Sequence, residues 1–305
     1  MKVAVVGGTG VIGTAAVRAL ASAGHDVFAL ARTPEKAAAL ESWGATPVAA
    51  DVFDHRSLVA MFEGCDAVVN AVTRIPVGRR AMRSSAWREN DRLRTEGVRR
   101  VTSAARDAHV RRLVQESVSL VYADHGDEWV DESSSLSITC ATEPTCVAET
   151  HVQDYQSDLR CGVVLRFGNV IGDDLTTRHL LRGARRGRPL GLGSPDGWVH
   201  PVHTDDLGPA VVAALAAPSG VYNVGAQPVR RRDLVQGYAD AVGRDSLGFL
   251  GPLMTRAAGR RAEPQTRSLR VSSEHFSTQT GWTPRRAHFD ASWLEGAGVE
   301  ARVGW

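Results

Sequence analysis

The tyrosines of this sequence are the first residues to consider as proton donors. A tyrosine phenol can protonate a reduced carbonyl oxygen, but a nearby cation must lower its pKa from about 10 for this to work efficiently near neutral pH. The four tyrosines are Tyr122, Tyr155, Tyr222 and Tyr238. The only lysines are Lys2 and Lys36, so no lysine follows any of the tyrosines in the sequence.

A glycine-rich segment near the N-terminus predicts a second chemistry, the binding of a dinucleotide. The apolar run Val3–Val6 leads into a glycine turn, and an alanine-rich helix follows. Glycines at such positions permit a tight turn, close approach of a pyrophosphate and close packing of helix on strand. The helix N-terminus adds N–H donors and positive potential. The residues expected to contact the dinucleotide here are Gly7, Thr9, Gly10, Val11, Ile12 and Gly13.

The end of the second predicted strand favours NADP(H) over NAD(H). NAD-binding proteins place a carboxylate there to hold the ribose diol, but this chain has Arg32 and no carboxylate before Glu35. The planar cation of Arg32 suits a 2′-phosphate, although a solvated loop arginine is the alternative. Asp51, after the third predicted strand, is expected to contact adenine or, alternatively, to cap the helix near Ser57.

Short apolar runs alternate with helical patterns along the chain. This rhythm predicts right-handed βαβ units and a parallel sheet. The predicted strands are Val3–Val6, Val27–Ala31, Thr46–Ala50, Ala67–Ala71, Arg112–Gln115, Gly162–Phe167 and Val221–Val224; the predicted helices are Gly13–Ala23, Glu35–Ser42, Ser57–Phe62, Glu89–Ala108 and Val147–Asp158. The predicted fold is α/β, a doubly wound parallel sheet (Rossmann fold). We expect an NADP-binding core over residues 1–170 and a smaller substrate-binding region over 171–305, interleaved with the last core strand near 221–224.

Composition excludes several classes of protein. The 36 basic and 34 acidic residues give a net charge of +2 without a basic stripe, so nucleic acid is not an expected partner. The four cysteines lack metal-binding spacing, and no metal is expected. The sequence shows no signal peptide and no apolar run of transmembrane length, which predicts a cytoplasmic protein that does not bind membranes. The oligomeric state stays open.

Several segments together resemble one family. The segments are Gly7–Gly13, Asp51–Val52, Asp66–Val72, Asn90 with Thr95, Ser117–Tyr122, Leu165–Gly172, Val202–Leu207 and Tyr222–Gly225. In this order they resemble the extended or atypical short-chain dehydrogenases/reductases, also called the NAD-dependent epimerase/dehydratase family. Besides the glycine turn and Arg32, the resemblance implies cofactor contacts at Asp51, Val52, Ala71, Val72, Asn90, Ser117 and Phe167, and substrate contacts at Ser119 and Asn169. His203 and Asp205 fit capping and packing better than catalysis.

The sequence departs from this family at its catalytic positions. Members use a Ser or Thr, a Tyr and a Lys to reduce or oxidise a carbonyl. Counting back from Tyr122, the Ser/Thr position holds Val118. With Glu149 as the family's helix glutamate, the Tyr position is Ala141 and the Lys position is Thr145. Ser117 and Thr145 are the polar candidates nearest the lost site, and ordinary strand-end and helix-start hydroxyls are the alternative.

Three functions follow from the resemblance and the lost residues. The first is an NADPH-dependent ketoreductase whose polycyclic aromatic substrate polarises its own carbonyl through a neighbouring phenol. This pattern resembles the atypical angucyclinone ketoreductases of simocyclinone-type antibiotic biosynthesis. The second is a non-catalytic NADP-binding regulator. The third is a nucleotide-sugar epimerase or dehydratase. The missing Tyr and Lys argue most strongly against this function, because such an enzyme must oxidise an unactivated alcohol.

Overall fold

A computed structural model describes residues 1–251 and 259–297. Its largest feature is a seven-stranded sheet with strand order β3-β2-β1-β4-β5-β7-β11, in which every neighbouring pair is parallel. These strands are β1 (Lys2–Val6), β2 (Asp26–Ala31), β3 (Ala45–Ala49), β4 (Ala67–Asn70), β5 (Arg112–Val118), β7 (Cys161–Phe167) and β11 (Gly220–Val224). The strand order reverses between β1 and β4, and open α/β sheets bind ligands at such a switch point.

Helices cover both faces of this sheet. They are α1 (Val11–Ser22), α2 (Pro34–Ser42), α3 (His55–Phe62), α4 (Ser84–Arg92), α5 (Val98–Asp107), α6 (Glu143–Gln153), α7 (Leu175–Arg185), α8 (Thr204–Ala214), α9 (Arg231–Asp240) and α10 (Glu274–Thr280). Apolar side chains of α1, α2, α8 and α10 form one core with the sheet, and those of α3, α5 and α6 form another. The predicted Rossmann fold is therefore confirmed. None of the helices described is long and apolar enough to cross a membrane.

Two predicted helices begin or end more than two residues from their predicted limits. The predicted helix Glu89–Ala108 is part of a longer one in which a π-helical turn, Leu93–Gly97, joins α4 to α5. The helix predicted to start at Val147 begins at Glu143, because Pro144 lies in the first turn, where a missing N–H group costs nothing. It ends at Gln153, five residues before the predicted end.

The region after β7 contributes to the sheet and also forms a small core of its own. Helix α8 and strand β11 pack into the sheet's core, whereas α7 and α9 pack with Trp293 and Leu294. Short strands complete this region: β6 (Trp129–Val130) pairs with β13 (Arg270–Val271), β8 (Asn169–Ile171) with β10 (Pro201–His203), and β9 (Trp198–Val199) with β12 (Val229–Arg230). Residues 252–258 and 298–305 of the predicted substrate-binding region lie outside the described residues.

Candidate active site

The glycine turn between β1 and α1 is sterically fixed. Gly7 has φ +85°, and a Cβ atom there would lie 2.6 Å from the Cα atom of Val72. A Cβ atom on Gly13 would lie 2.0 Å from the carbonyl oxygen of Gly7. The N–H of Gly10 donates to that same oxygen at 3.0 Å. The turn therefore presses the start of α1 against the ends of β1 and β4, as dinucleotide binding requires.

The N-terminus of α1 is free to bind an anion. Gly10 is at the N-cap position and makes no side-chain hydrogen bond to the first N–H groups of the helix. The first turn carries no acidic residue. Thr9, Gly10 and Val11 line one open cavity, and Ile12 is half-buried against the core. The first N–H groups of a helix have no carbonyl partner within it, so a pyrophosphate can accept hydrogen bonds from them.

Arg32 and Asp51 lie where contacts to the adenosine half of a dinucleotide are expected. Arg32 directly follows β2 and is exposed, and its side chain has no hydrogen-bond or ion-pair partner among the described residues. The carboxylate of Asp51 accepts from the N–H of Phe53 at 2.8 Å. Helix α3 is capped by Asp54, whose carboxylate accepts from the N–H of Arg56, so the capping alternative for Asp51 is wrong.

The other predicted cofactor contacts lie at or near strand ends beside the switch point. Five of them are buried, namely Val52, Ala71, Asn90, Ser117 and Phe167. Val72 is half-buried, and its N–H donates to the side-chain oxygen of Asn70 at 3.4 Å. Asn90 is buried in α4, and its side-chain oxygen accepts from the N–H of Arg74 at 3.1 Å. This bond ties α4 to the loop that follows β4.

The three positions that lack the family's catalytic residues flank the end of β5. Val118, the last residue of β5, and Ala141, just before α6, are both half-buried. Thr145 lies in the first turn of α6 and is 3% exposed. Its hydroxyl has no hydrogen-bond partner among the described residues, yet it is not fully sealed from solvent. Of the two polar candidates, Thr145 thus has the free hydroxyl.

The other candidate, Ser117, belongs to a buried polar network. Its hydroxyl donates to Glu149 at 2.5 Å. The guanidinium of Arg166 makes two hydrogen bonds to Glu149, at 2.9 and 2.6 Å, and a third to the hydroxyl of Tyr122 at 2.8 Å. Tyr122 donates in turn to Asn223 at 2.8 Å. The network joins β5, α6, β7 and β11, and it ties Glu149, the residue from which the lost Tyr and Lys positions are counted, to the sheet.

The side chains of all four tyrosines are buried. Besides the bond from Tyr122 to Asn223, Tyr155 donates to the carbonyl of Val110 and Tyr222 to that of Pro218. Burial raises the pKa of Tyr122 and of Tyr155 to about 12, and it also raises the pKa of Tyr238. No tyrosine of the chain is therefore poised to act as an acid near neutral pH.

A second buried ion pair lies next to this network. Arg94, in the π-helical turn, approaches Glu116 to 2.9 Å, and both side chains are buried. Burial raises the pKa of the Glu116 carboxyl, and the charge of Arg94 only partly offsets that effect. π-Helical turns often occur at functional sites, and this one places a cation beneath the end of β5. The sequence analysis did not identify this pair.

A buried histidine lies at the other side of the β5 end. Ser119, predicted to contact substrate, has its hydroxyl oxygen 3.1 Å from Nδ1 of His200. Nε2 of the same ring lies 3.3 Å from the hydroxyl oxygen of Ser273. The carbonyl of His200 accepts from the N–H of Asn169, the second predicted substrate contact, at 2.7 Å. Burial lowers the pKa of His200 to about 3, so its ring is neutral. The sequence analysis did not identify His200.

The histidine after it has the structural role expected. The ring of His203 accepts from the N–H of Asp205 at 3.1 Å and so caps α8. It also contacts Trp293 edge to face, with the ring centroids 5.1 Å apart. Among residues 1–251 and 259–297, no group of His, Cys, Asp and Glu side chains could hold a metal ion.

These features define the class of protein before any comparison is made. A doubly wound sheet whose switch point holds a glycine turn and a free helix N-terminus is a dinucleotide-binding domain. The close contacts at Gly7 and Gly13 and the uncapped start of α1 fit a bound NAD(P)(H). When bound, this cofactor supplies or accepts a hydride.

The comparison with protein families agrees with this class. Residues 7–187 match the model of the NAD(P)H-binding family. The chain belongs to this family. It is also 30% identical to a 3-diazoavenalumate denitrifying reductase from a Streptomyces species, over 98% of this chain and 100% of that protein. These similarities make the chain an oxidoreductase-like NAD(P)-binding protein with reductases among its relatives.

Another relative matches a shorter part of the chain. A 4-hydroxy-2-methyl-3-oxo-4-farnesyl-3,4-dihydroquinoline-1-oxide ketoreductase from Stigmatella aurantiaca is 32% identical over 41% of this chain and 35% of that protein. Among solved structures, human epimerase family protein SDR39U1 with NADPH has a TM-score of 0.78 and 23% identity, covering 98% of this chain and 99% of that one. MoeE5 in complex with UDP-glucose and NAD has a TM-score of 0.77 and 21% identity, covering 96% of each chain. These structures share the fold.

Proposed function

We propose that this chain is an NADPH-dependent reductase that delivers hydride to an aromatic small molecule without a tyrosine as proton donor. The observation that supports this proposal is the contrast between the cofactor-binding half of the site and the half where a proton donor is expected. The glycine turn and the free start of α1 are intact, whereas all four tyrosine hydroxyls lie in the core or bond to other groups. Arg32, exposed and without a described partner, supports NADPH as the cofactor.

The first acceptor class we propose is a ketone of an aromatic polyketide, of angucyclinone type, in a tailoring step of antibiotic biosynthesis. A phenol next to the ketone would hydrogen-bond to the carbonyl oxygen and stabilise the negative charge that develops there. The protein then has to orient the ketone, and the free hydroxyl of Thr145 and the side chain of Asn169 are the groups we assign to this task. In favourable cases, orientation alone lowers the activation free energy by about 7–11 kcal/mol.

A second acceptor class, an aromatic diazo compound, is favoured by one observation. The relative that matches along its whole length is named as a reductase of a diazo compound. Adding hydride to an arenediazonium ion and losing dinitrogen gives the arene without any added proton. A site that lacks a protein acid is suited to such a reaction. The side chains that flank the acceptor, Val118, Ala141 and Thr145, would then serve only to hold the ring.

The structure supports two other functions less well. A non-catalytic regulator needs the cofactor site but no free hydroxyl at the lost catalytic positions, and Thr145 offers one there. A nucleotide-sugar epimerase must deprotonate an alcohol, and no tyrosine of this chain is placed or tuned for that. The regulator is therefore our alternative, and the epimerase ranks third.

Stopped-flow absorbance of NADPH tests the proposal. The purified protein is mixed with NADPH and, separately, with peri-hydroxy anthraquinones and angucyclinones, with the same ring systems lacking the peri-hydroxyl, and with hydroxycinnamate diazo compounds. We expect NADPH oxidation with peri-hydroxy ketones or with diazo compounds, and much slower oxidation of ketones that lack the peri-hydroxyl. Tight NADPH binding without turnover of any acceptor would instead support the regulator.

A further inference from the structure

We propose that Ser119, His200 and Ser273 form a proton relay that carries a proton from solvent to the oxygen of a ketone substrate. The relay would take over the proton supply of the missing tyrosine. It rests on the proposed function in its ketone form. A diazo acceptor would not need it.

The relay is continuous from the end of β5 to the surface. The hydroxyl of Ser119 lies 3.1 Å from Nδ1 of His200, and the hydroxyl of Ser273 lies 3.3 Å from Nε2. Ser119 is 2% exposed and directly follows Val118, at the family's Ser/Thr position. Ser273 is half-buried, and its neighbour Glu274 is exposed. The inner end therefore adjoins Val118 in the chain, and the outer end is partly exposed to solvent.

Two glycines form the slot that holds the histidine ring. A Cβ atom on Gly225 would lie 2.1 Å from Nε2 of His200, and one on Gly168 would lie 3.1 Å from Nδ1. Gly168 follows β7 and Gly225 follows β11, so the ends of two adjacent strands enclose the ring. Such tight walls hold the imidazole in one orientation, with each ring nitrogen facing one serine.

The partners of the ring suit proton transfer better than mere packing. A buried histidine that bonds to a backbone carbonyl is locked in one tautomer, because a carbonyl can only accept. Here both partners are hydroxyls, which can donate or accept. Both neutral tautomers of His200 are therefore satisfied in the same geometry. A proton can enter at one ring nitrogen and leave at the other without moving any heavy atom.

The proton balance of the relay is complete. As the carbonyl carbon gains hydride, its oxygen takes the hydroxyl proton of Ser119. Ser119 is reprotonated by Nδ1 of His200, and Nε2 takes the proton of Ser273. Water then reprotonates Ser273. After the product alcohol has left, water in the vacated cleft donates a proton to Ser119, Ser119 passes its proton to Nδ1, Nε2 returns its proton to Ser273, and Ser273 releases one to water. The ring is thereby restored, and the net supply is one proton from solvent for each ketone reduced.

Substitutions in the relay test it through the solvent isotope effect. In His200→Gln the amide keeps a hydrogen-bonding group in the slot but cannot pass a proton. We expect the rate of ketone reduction to fall by roughly 10²-fold or more, as for loss of a general acid. Ser273→Ala should lower the rate by a smaller factor and reduce the solvent deuterium isotope effect. Ser277→Ala, a neighbouring serine of α10 whose hydroxyl bonds to a backbone carbonyl, is the matched control.

Nitrogen-15 NMR of the histidine ring provides a readout that does not depend on activity. We expect both neutral tautomers of His200 in the wild-type protein, and a shift to one tautomer in Ser119→Ala and in Ser273→Ala. A single tautomer in all proteins, with unchanged ketone reduction in His200→Gln, would overturn the relay while leaving the reductase intact. Failure of the wild-type protein to reduce any ketone would instead overturn the ketone form of the proposed function, and the relay with it.

Discussion

Arg32 is the residue on which the choice of cofactor depends. It lies exposed at the end of β2 with no described partner, where a 2′-phosphate would be held. Arg32→Ala should weaken NADPH binding by about 10- to 100-fold, the range for losing a hydrogen bond to a charged group, and should leave NADH binding nearly unchanged. Titration calorimetry with both cofactors measures this. Arg111→Ala, an exposed arginine at the opposite end of the sheet, is the control, and equal losses for both cofactors in Arg32→Ala would refute the assignment.

Thr145 is the polar side chain that we place closest to the reacting group. If the substrate polarises its own carbonyl, Thr145 only orients it, so Thr145→Val should lower kcat for ketones by less than tenfold. That is well below the roughly 10²–10⁴-fold typical of a general acid. Steady-state kinetics with a peri-hydroxy ketone measure the change. A loss above 10²-fold would restore Thr145 as the proton donor.

The buried ring of His200 also predicts how stability depends on pH. Burial lowers its pKa from 6.5 to about 3, so the unfolded chain binds a proton that the folded chain excludes. Protonation of the unfolded chain alone therefore lowers the free energy of unfolding as the pH falls from about 6.5 towards 3. Above about pH 6.5 this loss is absent. Between pH 7 and pH 5, the wild-type protein should lose about 2 kcal/mol more unfolding free energy than His200→Gln does. Urea unfolding at both pH values measures this, and parallel losses in the two proteins would contradict it.

The element that the sequence predicted most fully is the β1–α1 turn. The residues that this turn requires are close together in the sequence, because the glycine of the tight turn and the glycine that allows close packing both lie within seven residues. Gly13→Ala would place a methyl group 2.0 Å from the carbonyl oxygen of Gly7. We expect NADPH binding to be lost and the free energy of unfolding to fall by about 1–3 kcal/mol.

A matched glycine separates this clash from a general effect of alanine. Gly183 lies in α7, where a Cβ atom would make only an ordinary contact with Leu190 at 3.4 Å. Gly183→Ala should therefore leave cofactor binding unchanged and raise stability by up to about 1 kcal/mol. Cofactor fluorescence and thermal unfolding of both variants measure the pair. Normal NADPH binding by Gly13→Ala would show that the turn is not the cofactor site.

Other elements show why part of the site escaped sequence analysis. The pattern around Glu149 predicted that Ala141 and Thr145 replace the catalytic pair, and Glu149 itself bonds to Arg166 and Ser117. The partners of His200, by contrast, lie 81 and 73 residues away along the chain. No local spacing connects such residues. They meet only because β7 and β11 become neighbours in the sheet and their following glycines leave room for a ring.

At the scale of the whole molecule, strand order brings every proposed functional group to one edge of the sheet. The ends of β1, β2 and β4 form the cofactor side, and the ends of β5, β7 and β11 form the side where catalytic residues were lost. The first half is defined by alternating apolar runs and glycine spacing, which the sequence displays directly. The second half depends on side chains from distant segments, so the sequence revealed what is missing there but not what replaces it.

The central claim is that hydride transfer persists without a tyrosine acid, and one measurement tests it most directly. The protein is incubated with NADPH in which both hydrogens at C4 of the nicotinamide are replaced by deuterium, together with each acceptor, and the products are analysed by mass spectrometry. The account predicts one carbon-bound deuterium in the alcohol formed from a peri-hydroxy ketone, or in the arene formed from a diazo compound. Tight binding of NADPH with no deuterium in any product would contradict it and identify the chain as a cofactor-binding regulator.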